Sequence, residues 1–175
     1  MNKFFTHLTN LPVLPDNIIQ EGLNCNFKLI SEPSRLYVGQ SSFNNTDFYK
    51  QLQSIFGYVE TSYRYTPPNS VYDWHIDKRR NCAILWPIKN NSGAGTFYRE
   101  VTINSVQDGS NKKNMFYDLT ELDYTMYRPT LLNTTYEHCV INNYNEPRIV
   151  LSVSLFDISY EDALPLLQNI NCEHY

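Results

Sequence analysis

Tyr58 to Tyr65 alternate strictly: Val59, Thr61, Tyr63 and Tyr65 fall on one face of an extended chain, and Glu60, Ser62 and Arg64 on the other. Pro67-Pro68-Asn69 then turns the chain. The same period of two returns from Arg148 to Phe156. There Arg148, Val150, Ser152 and Ser154 share one face, and Ile149, Leu151, Val153 and Leu155 the other. Between these runs, Asn81 to Ile88 is short and apolar on both faces, as a central sandwich strand is. Gly93-Ala94-Gly95 leads into Thr96 to Ile103, and Asp108-Gly109-Ser110-Asn111 turns the chain ahead of Met115 to Leu119. Thr130 to Leu132, His138 to Ile141 and the turn Asn142-Asn143-Tyr144-Asn145 complete the series. Strands this short and closely spaced, separated by Gly, Asn and Pro turns, predict an all-β sandwich or jelly roll.

At 175 residues the chain fits a single domain with one substantial core. Residues 1–57 read as an N-terminal extension, in which Pro12, Pro15 and Pro33 predict loops, and Phe27-Lys28-Leu29-Ile30 an edge strand, laid across the outside of the core. The extension ends in one helix over 46–56. Asn44-Asn45-Thr46-Asp47 supplies its N-cap, Phe48, Leu52, Ile55 and Phe56 its apolar stripe, and Gly57 its end. Residues 58–156 form the β core, and the C-terminal segment 157–175 holds a second, shorter helical pattern from Tyr160 to Gln168.

Composition narrows the function. With 14 Lys+Arg against 18 Asp+Glu the formal net charge is −4, which provides no general field for a phosphate backbone, so nucleic acid is not expected as a partner. No apolar run approaches the roughly 20 residues that span a bilayer, so no membrane is expected either. Cys25, Cys82, Cys139 and Cys172 occur singly, without C-x-x-C, and no signal peptide is visible. The expectation is a reduced, cytoplasmic protein, in the host cytoplasm if virus-encoded. The Asn- and Tyr-rich composition fits an AT-rich viral or bacterial source.

His75-Ile76-Asp77 ends the Tyr-rich run. On a strand, residues two apart point the same way, so His75 and Asp77 can offer an imidazole nitrogen and a carboxylate oxygen to one ion. His138, from a later strand, supplies a third corner. Two His and one carboxylate on one face of a non-haem Fe(II) leave its remaining positions free for ligands. Arg148 follows His138 after ten residues. The bland alternative is a surface pair, a hydrogen-bonded core His138, and an edge Arg148 paired with Glu146 or Glu137.

H-x-D, a span of about sixty residues, His, ten residues and then Arg resembles the 2-oxoglutarate and Fe(II)-dependent oxygenase family, in its prolyl 4-hydroxylase-like group. The resemblance covers residues 58–156. It implies a double-stranded β-helix of the cupin-like jelly-roll type, with His75, Asp77 and His138 as metal ligands and catalytic centre and Arg148 holding the far carboxylate of 2-oxoglutarate. Arg64-Tyr65-Thr66-Pro67-Pro68 is similar to the group's Arg-Tyr-x-x-Gly approach to H-x-D, which gives Tyr65 a hydrogen bond to 2-oxoglutarate. The segment here is one residue longer and has Pro68 in place of Gly, so Tyr63 stands as the alternative. Asp77-Lys78-Arg79-Arg80 with Leu85-Trp86-Pro87-Ile88 also resembles the aspartyl/asparaginyl hydroxylase-like branch.

The implied activity is dioxygenase hydroxylation of a peptidyl or amino-acid side chain, proline first, or of another small molecule. Its cofactors are Fe(II) and 2-oxoglutarate, with ascorbate as reductant, and its products include succinate and CO2. A cupin-like module that binds metal or an organic acid without oxidation is the main rival, and an assembly protein with an aromatic-rich sandwich the other. Elsewhere, His7 and His174 read as exposed near the termini, and Cys82 and Cys139 as small core residues. Lys78, Arg79 and Arg80 read as a solvated rim, and Trp74, Trp86, Tyr72, Tyr98 and Tyr136 mainly as core.

Overall fold

In the computed structural model, residues 2–31, 36–90, 93–105 and 113–170 are described, and Pro33, the Asp108–Asn111 turn, Cys172 and His174 lie outside them. In chain order the elements are β1 (Phe5–His7), α1 (Asp16–Leu23), β2 (Lys28–Ser31), β3 (Leu36–Gly39), a 3-10 turn (Ser42–Asn45) and α2 (Asp47–Phe56). Then follow β4 (Val59–Thr66), β5 (Ser70–His75), β6 (Cys82–Lys89), β7 (Ala94–Ser105), β8 (Lys113–Leu122), β9 (Thr130–Asn133), β10 (His138–Asn142), β11 (Arg148–Leu155) and α3 (Tyr160–Gln168). The strands make two antiparallel sheets, a seven-stranded one in the order β1-β9-β6-β11-β4-β3-β2 and a four-stranded one in the order β5-β10-β7-β8.

The large sheet separates two apolar clusters. Ile84, Trp86 and Ile88 of β6 and Ile149, Leu151, Val153 and Leu155 of β11 face the helices, while Ala83, Leu85 and Val150 face inward with Phe4, Tyr98, Leu122 and Leu132. Strand β6 is therefore apolar on both faces because both are covered. Trp86 is fully buried; its ring packs on Phe43 and Phe48, and its Nε1 donates to the Pro12 carbonyl at 3.2 Å. Pro87, which has no amide hydrogen, lies past the last β6–β9 pair (Leu85 with Thr130) and beside the β6–β11 register shift at Ile149/Val150.

The N-terminal third departs from expectation. The expected edge strand is there as β2, at one edge of the large sheet, but in place of loops the segment also adds β1 and β3 to that sheet and a helix, α1. Pro15 does not break that helix; it occupies the N-cap position, where a missing amide hydrogen costs nothing. Ile18, Ile19 and Gly22 form its buried stripe. Gly22 permits a close approach: a Cβ there would lie 2.7 Å from Ile88 and 2.8 Å from the Tyr63 ring. Helix α2 forms as expected, with Thr46 Oγ1 accepting from the Tyr49 amide at 3.2 Å and Gly57 ending it at φ 70°. Its stripe is Phe48, Tyr49 and Leu52, with Ile55 exposed. Ser159 caps α3, which buries Tyr160, Ala163, Leu164 and Leu167.

Candidate metal centre

His75 and His138 are direct cross-strand partners, on β5 and β10, so their rings leave the small sheet on the same face with centroids 4.3 Å apart. A register shift between His138 and Val140 bulges β5, so that Tyr72 and His75 face β10 partners two residues apart although they are themselves three apart. The rings of Tyr72 and His75 are 4.2 Å apart. At the bulge the Asp73 carbonyl accepts the His75 Nδ1 hydrogen at 2.7 Å; the Tyr136 carbonyl accepts that of His138 at 2.8 Å. With each Nδ1 hydrogen held by a carbonyl, the Nε2 lone pairs are the ones left for a metal.

Asp77 is not on the strand. β5 ends at His75, and Asp77 follows in the connection to β6. The strand-periodicity argument for the pair therefore does not hold, yet the side chains converge, with Asp77 Oδ1 3.7 Å from His75 Nε2. The segment between β9 and β10 holds the loop in place: the Asp77 amide donates to the Thr134 carbonyl at 3.1 Å, and the Thr134 amide and hydroxyl donate to the carbonyls of Asn81 and Arg80. One donor atom from each of His75, Asp77 and His138 lies within 4.8 Å of the others. Two imidazoles and a carboxylate, with each Nδ1 held from behind, suit a divalent transition metal.

The charges support that arrangement. Burial alone would raise the Asp77 carboxyl, but the adjacent Arg80 guanidinium brings it below its usual value. Arg80 Nε donates to Asp77 Oδ2 at 2.6 Å, while Nη1 reaches Ser152 and Ser154 of β11 at 3.1 and 2.8 Å. Burial, followed by the nearby His75, lowers His138 to about 4, so its imidazole stays neutral and able to ligate at neutral pH.

A cavity of about 480 Å³ runs between the sheets from this centre to Arg148. Arg148 is 2% exposed. Its Nε donates to Asn90 Oδ1 at 3.0 Å, Nη2 to Thr96 Oγ1 at 3.3 Å, and the Tyr124 ring lies 4.9 Å away. No carboxylate pairs with it among the described residues; Glu137 pairs with Arg99 and Glu146 with Lys89. A buried cation with only neutral partners leaves part of its fork for an anionic ligand.

Tyr63 and Tyr65 point the other way. The Tyr63 hydroxyl is 2.8 Å from both the Ile18 carbonyl and Glu21 Oε2, on the helix side of β4. Tyr65 borders the cavity, but its ring packs on Phe27 and Tyr37, at 4.8 and 5.6 Å. The residue between them that faces inward is Arg64. Of the expected solvated rim, Lys78 and Arg79 are exposed, whereas Arg80 turns in and bonds Asp77. The sequence pattern assigns Arg64 no role and sets Arg80 on the rim, and Tyr72, which it weighs as core more than as pocket wall, lines the cavity. The available signal was the i, i+3 spacing of Asp77 and Arg80 across a tight bend. Cys82, Cys139, Trp86 and Tyr98 are buried and His7 exposed, as expected. Trp74, however, flanks Arg99, 4.5 Å from its guanidinium.

No protein-family model and no curated sequence matches the chain. Solved structures do. A prolyl-4-hydroxylase from Pseudomonas putida superimposes with a TM-score of 0.57 at 12% identity, over 89% of this chain and 93% of that one. A 2OG-Fe(II) oxygenase-family oxidoreductase from Burkholderia pseudomallei gives 0.52 at 9% identity, over 79% and 76%. The non-haem α-ketoglutarate-dependent epimerase SnoN of nogalamycin biosynthesis gives 0.52 at 11%, over 87% and 78%. At such identities the likeness is one of fold: two antiparallel sheets in the jelly-roll, double-stranded β-helix arrangement. Among the described residues no helix is long and apolar enough to cross a membrane.

Proposed function

We propose that this protein is an iron(II)- and 2-oxoglutarate-dependent dioxygenase. In this reading it hydroxylates a peptidyl or amino-acid side chain, proline first among the candidates, and releases succinate and carbon dioxide. The observation that carries the reading is a pair of imidazoles with their Nε2 atoms turned toward one carboxylate, in the same cavity as a buried arginine that has no carboxylate partner.

His75 Nε2, Asp77 Oδ1 and His138 Nε2 would hold the iron, and Arg148 the far carboxylate of 2-oxoglutarate, with Asn90 and Thr96 fixing the guanidinium fork. When bound, the metal and the oxo acid supply the oxidising chemistry, with dioxygen as oxidant. This chain's residues orient the ligands. Arg80 holds Asp77 Oδ2 so that Oδ1 remains available, and the carbonyls of Asp73 and Tyr136 fix both His tautomers. Leu85, Leu132, Val140 and Val150 line the cavity and give its wall an apolar stretch. Tyr72, whose ring lies against His75, is better placed over the ligands than Tyr65 or Tyr63.

The test is an anaerobic titration of purified protein with Fe(II) and 2-oxoglutarate, followed by aeration with ascorbate and candidate peptides. The expected results are a visible metal-to-oxo-acid absorption band and succinate formed in step with 2-oxoglutarate loss. Binding of iron without either would point to a metal-binding module of the same fold, and no binding of iron would remove the reading altogether.

A further inference from the structure

Iron and 2-oxoglutarate would not use all the charge in the cavity. Its wall carries two carboxylates, Glu60 and Asp77, against the cationic Arg64, Lys78, Arg79, Arg80 and Arg148, in a chain whose formal net charge is −4. A divalent metal and a doubly ionised diacid neutralise each other, so their joint binding leaves the positive surplus in place. Most of these cations are accounted for: Arg148 faces the diacid, Arg80 is bonded to Asp77, Ser152 and Ser154, and Lys78 and Arg79 are exposed to solvent.

Arg64 is different. It stands on the cavity face of β4, opposite Val150, one inward position from Thr66, which is opposite Arg148. Its Nε is buried and has no hydrogen-bond partner among the described residues. The acid further along β4, Glu60, accepts a hydrogen bond from the Tyr58 hydroxyl at the surface, and Asp77 is taken by Arg80. Burial, and then the like charge of Arg80, lower the Arg64 guanidinium to about 10, more than the opposing charges of Asp77 and Glu60 restore. A half-buried guanidinium whose buried Nε has an unmade hydrogen bond is costly in the free protein and well matched to an incoming carboxylate.

We propose that Arg64 binds a carboxylate carried by the substrate, so that the molecule presented to the metal centre is an anion, with an acidic group beside the position that reacts. The proposal rests on the oxygenase reading, since it is that reading which assigns Arg148 and the metal to the cosubstrate.

The experiment compares acid and amide isosteres. N-acetyl-aspartyl-N-methylamide and its asparagine counterpart represent a peptidyl ligand, and propionate and propionamide a small one. Each is titrated calorimetrically into protein loaded anaerobically with Fe(II) and 2-oxoglutarate, and into metal-free protein. The expected result is tighter binding of the acid by about tenfold, the ordinary worth of one charge-assisted hydrogen bond, lost in Arg64→Gln and partly kept in Arg64→Lys. A preference in the peptidyl pair alone identifies a protein substrate; one in both pairs identifies a small acid. The dissociation constant of 2-oxoglutarate should stay within about threefold of wild type in both variants. Equal affinities for acid and amide, or no binding of either, overturn the proposal. So does a loss of 2-oxoglutarate affinity in Arg64→Gln, which would give Arg64 to the cosubstrate. If the protein takes up neither iron nor 2-oxoglutarate, the oxygenase reading fails, and the acid–amide comparison on metal-free protein still decides Arg64.

Discussion

The two faces of β11 are buried alike and do different things. Outward, Ile149, Leu151, Val153 and Leu155 are no more than 3% exposed and pack under the helices; inward, Arg148, Val150, Ser152 and Ser154 are equally hidden, with the same upper value. The difference lies in what satisfies them. The outward side chains need only apolar neighbours, whereas Arg148 depends on Asn90 and Thr96, and the two serines accept from Arg80. Burial alone therefore does not separate scaffold from site in this fold. A buried polar group whose bonding capacity is only partly used does, and the outward and inward faces should separate under mutation into stability effects and binding effects.

The largest effect should come from the inward side of the small sheet. In His138→Ala, iron binding and iron-dependent succinate formation should fall by at least about 10³-fold, equivalent to about 4 kcal/mol. The metal-free variant should melt near the wild type, while Fe(II) should raise the melting temperature of the wild type alone. Retained iron uptake in calorimetry would mean that a different set of atoms holds the metal.

The outward face should give the converse. Leu151→Ala removes a fully buried side chain from the cluster between the large sheet and the helices. The expected cost is about 3 kcal/mol, a melting temperature lower by about 6–12 °C. The folded protein should still bind Fe(II) and 2-oxoglutarate with wild-type affinity. A parallel loss of cosubstrate affinity would show that the two faces are mechanically coupled through the strand.

Arg148→Gln tests the same strand three residues away, on its inward face. Affinity for 2-oxoglutarate should drop by about 30- to 100-fold, the loss of one or two charge-assisted bonds, with iron binding intact. Because the guanidinium is buried without a carboxylate, its removal should leave thermal stability unchanged or improved. A large loss of stability instead would make Arg148 a structural residue held by Asn90, Thr96 and Tyr124.

How far the sequence showed this division depends on the residue. β4 and β11 were legible because one face of each meets an apolar cluster and the other a polar cavity, so alternation is a direct record of their surroundings. The helix at Asp16–Leu23 was hidden because Pro15 was read as a loop signal, although proline is equally at home at a helix start. Asp77 and Arg80 were harder. H-x-D suggested a strand with two ligands on one wall, whereas the ligands meet because a bulge turns His75 and a separate segment at Thr134 holds the following loop. Such contacts join residues about sixty apart, and no local periodicity encodes them. For the same reason the role of Arg64 is not encoded locally: the alternating pattern tells which face it is on, but not that the second sheet covers that face.

The smallest predicted effect examines that loop support. Thr134→Val keeps the shape of the side chain and the backbone bonds to Asp77 and Asn81, but removes the hydroxyl donor to the Arg80 carbonyl at 2.9 Å. Stability should fall by about 1 kcal/mol, the usual net worth of one hydrogen bond. Since Arg80 bonds the ligand Asp77, iron affinity should weaken by about three- to tenfold, at the low end of the range for groups that orient metal ligands. 2-Oxoglutarate affinity at fixed iron occupancy should not change, because Arg148 is held by Asn90 and Thr96 and shares no bond with Thr134. If iron affinity stays at the wild-type value while stability falls, the Asp77 loop is rigid without this contact, and the backbone pairing of Asp77 with Thr134 suffices to present the carboxylate.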